Sequence, residues 1–410
     1  MLLKFTVLTA KGVGLTGSSL AASPPPWNYT GWERFPAFYF GAKEGNTGVQ
    51  SAAELAFIGR HALGGWGWQQ RHGLGHHGEE AGLRAAAALR AAVGSHVGST
   101  PDALFVYRQS EGLFSYYDLM AAVAANTTLD TAATLRDPYT RLPCAGGGLL
   151  GFNNATFVKY WAETVGGEIA REPQVDAVFF DGFDKLYSGS ALSSTSNCSG
   201  FALRNNTAIA LQSKLHATLL QTQVLNRGGR VPILSSYNYF SQSALSMWSR
   251  SDGKHSVHSH SMNGISEDSY ASMLAGHSWI RFYEVWLGHG ESQDAAQISN
   301  AVLETSVGIP FIARAAVGKT GDSQPDTDAV FYAACAFLVA QGPYCYFGAS
   351  SGWLDQDWQW HSPYDWKIGK PLGHARRLSL DGAGSRKTEK PAKSSWPPID
   401  SRFSVQLGGV

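Results

Sequence analysis

Two short stretches place acidic side chains where chemistry on a substrate is feasible. In VDAVFFDGFD, residues 175–184, Asp181 follows directly on an apolar run, and Asp184 comes three residues later, past Gly182, which allows a tight turn. Read as a strand, the run has a period of two that puts Asp181 on the face of Ala177 and Phe179, opposite Asp176, Val178 and Phe180. In WIRFYEVW, residues 279–286, Glu284 stands near the end of an otherwise aromatic run, surroundings that desolvate a carboxyl and favour its protonated form. An acid that donates a proton and a carboxylate that attacks or activates water are the two groups that cleave a glycosidic bond, about 5–5.5 Å apart for retention and about 6.5–9.5 Å for inversion. Asp355 and Asp357 are further acids that could replace either. The plainer alternative makes Asp181 and Asp184 turn formers and leaves Glu284 neutralised by Arg281 or Arg314.

Aromatic residues cluster near the same predicted strand ends. Trp66 and Trp68, Tyr107, Tyr237 and Tyr239, Trp286, and Trp353 and Trp358 within GWLDQDWQWHSPYDW (352–366) offer flat faces on which sugar rings pack. Arg108, Gln109, Glu111, Asn238 and Arg314 are the accompanying candidates for binding hydroxyls or carboxylates. Any one tryptophan is more often core; the clustering carries the argument.

Other chemistries are weaker. The His-rich stretches RHGLGHHGEE (71–80) and HSVHSHS (255–261), with His255, His258 and His260, match no H-E-x-x-H or mixed His/Cys spacing, so no cofactor is expected. FGAKEGNTG lacks the compact glycine pattern of a dinucleotide-binding turn. The 32 basic and 32 acidic side chains cancel, and no basic block alternates with aromatics, which disfavours nucleic acid as a partner. No apolar stretch approaches the length of a membrane span. The partner expected from these residues is a polysaccharide or oligosaccharide substrate.

The elements that must position these residues read as a β-alpha rhythm. Strands are predicted at 35–40, 65–69, 103–108, 175–180, 231–238, 279–286, 309–316 and 343–348. Between them lie helical patterns such as SAAELAFIGRHA, EEAGLRAAAALRAAV, YWAETVGGEIA and TAIALQSKLHATLLQTQVL, the last capped by Thr207 with a buried stripe of Leu211, Leu215 and Leu219. Near-continuous apolar strands are those covered on both faces, and eight of them fit a (β/α)8 TIM barrel of the α/β class. A length of 410 residues allows two or three domains, but the rhythm makes residues 31–375 one barrel, preceded by a leader over 1–30 and followed by a polar turn and a short C-terminal β strand over 376–410.

The first residues, with a basic start, a modest apolar run and small residues at Ala21 and Ala22, are read as a possible signal peptide. Five sequons, at Asn28, Asn126, Asn154, Asn197 and Asn205, strengthen the expectation of a secreted or lumenal glycoprotein. Of the four cysteines, Cys144 and Cys198 are in loop-like sequence and are able to pair, whereas Cys335 lies in an apolar helix.

VDAVFFDGFD, FVYRQSEG and YDWKIGKPLG together resemble the glycoside hydrolase TIM-barrel families that include the polygalactosaminidase-like hydrolases and their uncharacterised relatives, over residues 33–380. The resemblance implies an acid at the end of strand four and another on a later strand, matching Asp181 and Glu284. The long insertion between strands three and four and the His-rich loops depart from it. The alternatives are a barrel that binds carbohydrate without cleaving it, and a metal-assisted barrel lyase or hydrolase built on the His-rich loops.

Overall fold

The computed structural model describes residues 22–27, 32, 34–41, 51–66, 90–91, 101–110, 123, 125–136, 143, 151, 154–181, 204–235, 274–288, 291–306, 308–318 and 327–369. The strands are β1 (Phe38–Gly41), β2 (Leu63–Trp66), β3 (Ala103–Gln109), β4 (Ala177–Asp181), β5 (Val231–Ser235), β6 (Ile280–Tyr283), β7 (Phe311–Ala316) and β8 (Tyr346–Ser350). All eight predicted strands are present, within a few residues of their expected ends. They pair in parallel in sequence order, and the isolated bridge Ala37↔Phe347 brings β8 back to β1. The chain is a (β/α)8 TIM barrel.

Register and parity decide which side chains fill the barrel. Phe38 and Phe40 of β1, Phe105 of β3, Phe179 of β4 and Phe282 of β6 meet inside it, with ring centroids 5.5 Å apart for Phe38 and Phe282 and 4.8 Å for Phe179 and Phe282. Two glycines make room for these rings. A Cβ on Gly65 would lie 2.1 Å from the Phe105 ring, and one on Gly348 would lie 2.7 Å from both Phe38 O and the Trp358 ring. Residues 22–27 lie across the opposite end, where Trp27 Nε1 donates to Tyr346 Oη at 2.7 Å and Ser23 N donates to His277 O at 2.9 Å.

The helices are α1 (Ala52–Gly59), α2 (Thr127–Ala133), α3 (Ala155–Trp161), α4 (Gly167–Arg171), α5 (Arg204–Arg227), α6 (Glu291–Ser306) and α7 (Thr327–Ala340), with a π turn at Ala162–Gly166 joining α3 to α4. Local capping sets several starts. Ser51 and Glu54 form a capping box on α1, while Asn126 and Asn154 accept from backbone N–H groups at the starts of α2 and α3. Thr207, expected as a cap, lies inside α5, which begins at Arg204. Thr218, Gln221, Thr222 and Leu225 are buried at helical spacing, while Leu219 is half-buried and the side chains of Leu211 and Leu215 lie outside the described residues. On α7, small Ala329, Ala333, Ala336 and Ala340 let the helix approach the sheet closely. No helix of the described residues is long and apolar enough to cross a membrane.

After β8, residues 351–369 run from the C-terminal end of the barrel down over the seam between β8 and β1, through short 3-10 turns at Asp355–Asp357 and Ser362–Asp365. At the lower end Phe35 N donates to Trp366 O at 3.3 Å. Cys335 and Cys345 are free, and burial pushes the Cys345 thiol up to about 12. Of the expected leader over 1–30 only residues 22–27 are described, and the C-terminal strand over 376–410 and the pairing of Cys144 with Cys198 lie outside the described residues.

Candidate active site

In a parallel barrel the C-terminal strand ends form one mouth, and two carboxylates stand there. Asp181 is the last residue of β4 and shares the inward parity of Ala177 and Phe179. Its Oδ2 accepts from Tyr107 Oη at 2.7 Å and from Gln109 Nε2 at 3.4 Å, both side chains reaching across from β3. Its Oδ1 is buried and has no hydrogen-bond partner. One oxygen is thus held by two donors and the other is buried without one. Backbone bonds from Ser110 N and Ser110 Oγ to Asp181 O, at 3.0 and 2.6 Å, fix the end of the strand.

Glu284 follows β6 directly, two residues beyond the inward-facing Phe282, and is 4% exposed. The strand stops at Tyr283, shorter than the predicted 279–286, because the chain turns sharply: Leu287 has φ of 65° and Gly288 of 94°. Gln297 of α6 braces that turn, donating to Val285 O at 2.9 Å and accepting from Leu287 N at 2.8 Å. Arg281 pairs with Glu304 at 3.0 Å, where Tyr283 Oη also donates at 2.8 Å. Arg314 Nη1 donates to the backbone carbonyl of Glu284 at 3.2 Å.

Arg314 is a clamp of the mouth. Beyond Glu284 O, its donors reach Ser350 Oγ at 2.8 Å, Ser350 O at 3.5 Å and Gly352 O at 3.2 Å, so it ties the ends of β6, β7 and β8 together. A buried guanidinium must be satisfied internally, and these hydroxyl and carbonyl oxygens do so. Its Cζ lies over the Trp353 ring, 3.8 Å from the centroid. Trp353 is half-buried and sits on the aromatic floor, 5.3 Å from Phe40 and 6.4 Å from Phe282. Tyr107 is 6.0 Å from Phe40 on the same floor, so Asp181, Tyr107 and Trp353 share one surface.

Several expected substrate binders are elsewhere. Trp66 shares the outward parity of Gly64, whose missing Cβ would face Ile58, Pro101 and Leu104, and it is buried under the helices. Arg108 lies on the outward face of β3 beside Phe180 in register and is 2% exposed. Trp286 is swung outward by the turn after β6; it stacks on Phe311 at 5.5 Å and donates to Ala333 O of α7 at 3.2 Å. Asp357 organises its own loop, accepting from Ser351 Oγ at 3.1 Å and Leu354 N at 2.9 Å, and a Cβ on Gly352 would collide with it at 2.3 Å. Trp358 is a wedge between β8 and β1, 5.5 Å from both Phe38 and Tyr39. Asp355 is in a 3-10 turn with its side chain outside the described residues, and Asp184, Trp68, Glu111, Tyr237, Asn238 and Tyr239 lie outside them entirely. So do both His-rich stretches; among the described residues no three His, Cys, Asp or Glu side chains gather as a metal site. Of the sequons, Asn126 and Asn154 are exposed helix caps and Asn205 is within α5, while Asn28 and Asn197 are not among the described residues.

The mouth carries an oriented carboxylate, a buried second carboxyl and an aromatic floor, and comparison with known proteins agrees in class. The model of the hypothetical glycosyl hydrolase family 15 matches residues 136–386, more than half of the chain. The chain belongs to the hypothetical glycosyl hydrolase family 15. The matched span of this family includes Asp181, Glu284, Arg314 and Trp353, but starts after β3 and so leaves out Tyr107 and Gln109. No curated protein matches the chain. Solved structures similar to this family member include Aspergillus fumigatus Ega3 in complex with galactosamine, at 10% identity and a TM-score of 0.41 over 82% of this chain and 98% of that one. The AHE enzyme from Alicyclobacillus herbarius is similar at 11% identity and a TM-score of 0.39, covering 76% and 80% of the two chains. The endo-beta-1,4-mannanase from Thermotoga petrophila gives 10% and 0.39, over 76% and 68%.

Proposed function

We propose that this family 15 barrel hydrolyses glycosidic bonds of a polysaccharide or glycan, with Asp181 as nucleophile or base and Glu284 as acid. The observation that carries the reading is the asymmetry at Asp181, where Tyr107 holds Oδ2 and leaves Oδ1 buried and unbonded at the mouth. Glu284 donates its proton to the leaving glycosidic oxygen. Asp181 either attacks the anomeric carbon, forming a glycosyl ester that water deprotonated by Glu284 then cleaves, or takes a proton from the attacking water; in both cases positive charge develops on the sugar ring next to a fixed carboxylate. Trp353 supplies a flat face for a ring in the adjoining position, and the Arg314 and Gln297 bonds keep the backbone around Glu284 from moving during transfer.

The test is the release of reducing ends from a panel of soluble glycans by the wild type and by Asp181→Asn and Glu284→Gln. Each substitution is expected to lower turnover by about 10²–10⁴-fold with an unchanged circular dichroism spectrum. Near-normal release by both variants would overturn the assignment.

A further inference from the structure

Away from the mouth, a cavity of about 550 Å³ opens where residues 360–369 pass the start of the barrel. Arg34 and Phe35 precede β1 and Arg60 precedes β2, so this groove is at the opposite end of the strands, roughly 20 Å from the mouth at about 3.3 Å per residue. Its volume lies within the range of about 300–1,000 Å³ typical of small-molecule sites.

The lining has two components. Trp32, Trp360 and Trp366 are half-buried rings, and Phe331 on α7, 41% exposed, meets Trp366 edge-on at 5.4 Å and extends the aromatic surface past the rim. Cations form the second. Arg60 Cζ lies over the Trp360 ring, 3.6 Å from its centroid, and the side chain remains 49% exposed. The nearest acid is Asp365 at 3.9 Å, too long for a hydrogen bond, and Asp365 already accepts from Trp360 Nε1 at 3.0 Å. Lys367 is exposed and has no acidic partner among the described residues. Arg34 is balanced by Asp102 at 3.1 Å, so an excess of positive charge remains beside the rings.

We propose that this groove binds a carboxylate-bearing saccharide, with the sugar ring packed on Trp366 or Trp32 and the carboxylate on Arg60 and Lys367. A planar guanidinium held over an aromatic ring is suited to a carboxylate, and the aromatic faces suit a sugar better than a compact anion such as phosphate. The mouth is built the opposite way, with two carboxyls and its arginine fully engaged, so an acidic ring is disfavoured there. The inference does not depend on the hydrolytic reading.

Affinity electrophoresis of the full chain in gels containing polygalacturonate, alginate or hyaluronan, with neutral galactomannan as the contrast, tests it. At least one polyuronate is expected to retard the protein and galactomannan is not. The double variant Arg60→Gln, Lys367→Gln is expected to weaken that binding about tenfold or more. Lys367→Gln alone, an exposed substitution, is expected to weaken it measurably without any bearing on folding. Asp181→Asn should be retarded as strongly as the wild type, each relative to its own mobility in a gel without polysaccharide. Absence of retardation by all three polyuronates, equal retardation by galactomannan, or a double variant that binds as the wild type would overturn the proposal. Loss of retardation in Asp181→Asn would do so too, by moving the binding to the mouth.

Discussion

The two ends of the barrel each carry an arginine held over a tryptophan ring at nearly the same distance, 3.8 Å for Arg314 over Trp353 and 3.6 Å for Arg60 over Trp360. Their surroundings make them different devices. Arg314 is 5% exposed and its donors end on Ser350, Gly352 and the Glu284 carbonyl; Arg60 is half exposed with its nearest acid at 3.9 Å. Burial obliges a guanidinium to satisfy itself within the protein, so the deep pair becomes part of the frame and the shallow one keeps donors to offer. Residue type and distance alone would have given both the same role.

The contrast can be strained most strongly through His61, which lies beneath the groove with Trp360 at 5.2 Å and Tyr39 at 5.5 Å. Burial lowers its pKa from 6.5 to about 3, against the opposing effect of its hydrogen bonds to Ile58 and Phe57 carbonyls. The native state therefore refuses a proton that the unfolded chain accepts between those values, and stability falls as pH falls through that window. Urea unfolding at pH 7 and pH 4 is expected to show a loss of about 3 kcal/mol from this group, a loss that His61→Gln abolishes. Asp176 and Glu304, whose carboxyls burial pushes up, act with the opposite sign, so the difference between wild type and variant is the quantity to read. Equal acid sensitivity in both proteins would show that the groove floor is not the acid-labile part.

Gly348→Ala addresses the seam between the two regions. Its Cβ would press on Phe38 O and the Trp358 ring at 2.7 Å, and a backbone atom cannot give way as a flexible side chain can. A loss of about 1–3 kcal/mol is expected in denaturant unfolding; an unchanged midpoint would mean that the wedge adapts freely. The smallest effect is at the mouth. Tyr107→Phe removes the donor to Asp181 Oδ2 and is expected to lower kcat about tenfold with KM changed less than twofold, the signature of a positioning residue. A change confined to KM would make Tyr107 a substrate contact instead.

Much of the fold was legible because eight apolar runs of strand length carry their signal locally, and period two was enough to put Asp181 on the face of Ala177 and Phe179. The same rule, applied to Trp66 and Arg108, points outward, and neglecting it made core residues look like binding residues. Trp286 was lost differently: the strand ends three residues early at a left-handed turn braced by Gln297, and nothing within WIRFYEVW announces a partner on the following helix. The aromatic run 352–366 looked like one cluster, yet Trp353 reaches the mouth, Trp358 the seam and Trp360 the far groove. Contiguity in sequence says nothing of destination when a segment crosses the whole height of the barrel. The role of Arg314 depends on carbonyl groups of other segments, which side-chain patterns do not encode.

The wedge at the seam bears on association between molecules. A fully closed barrel has no strand edges, but here β8 and β1 meet through an isolated bridge, and Trp358 lies against β1 while bridging antiparallel to Ser350. Unpaired edges are templates for strands of other chains. The segment that carries Trp353 and Trp360 to their separate sites is therefore also the guard of the barrel's weakest joint, and loosening it would offer β1 and β8 to neighbouring molecules, favouring aggregation in solution.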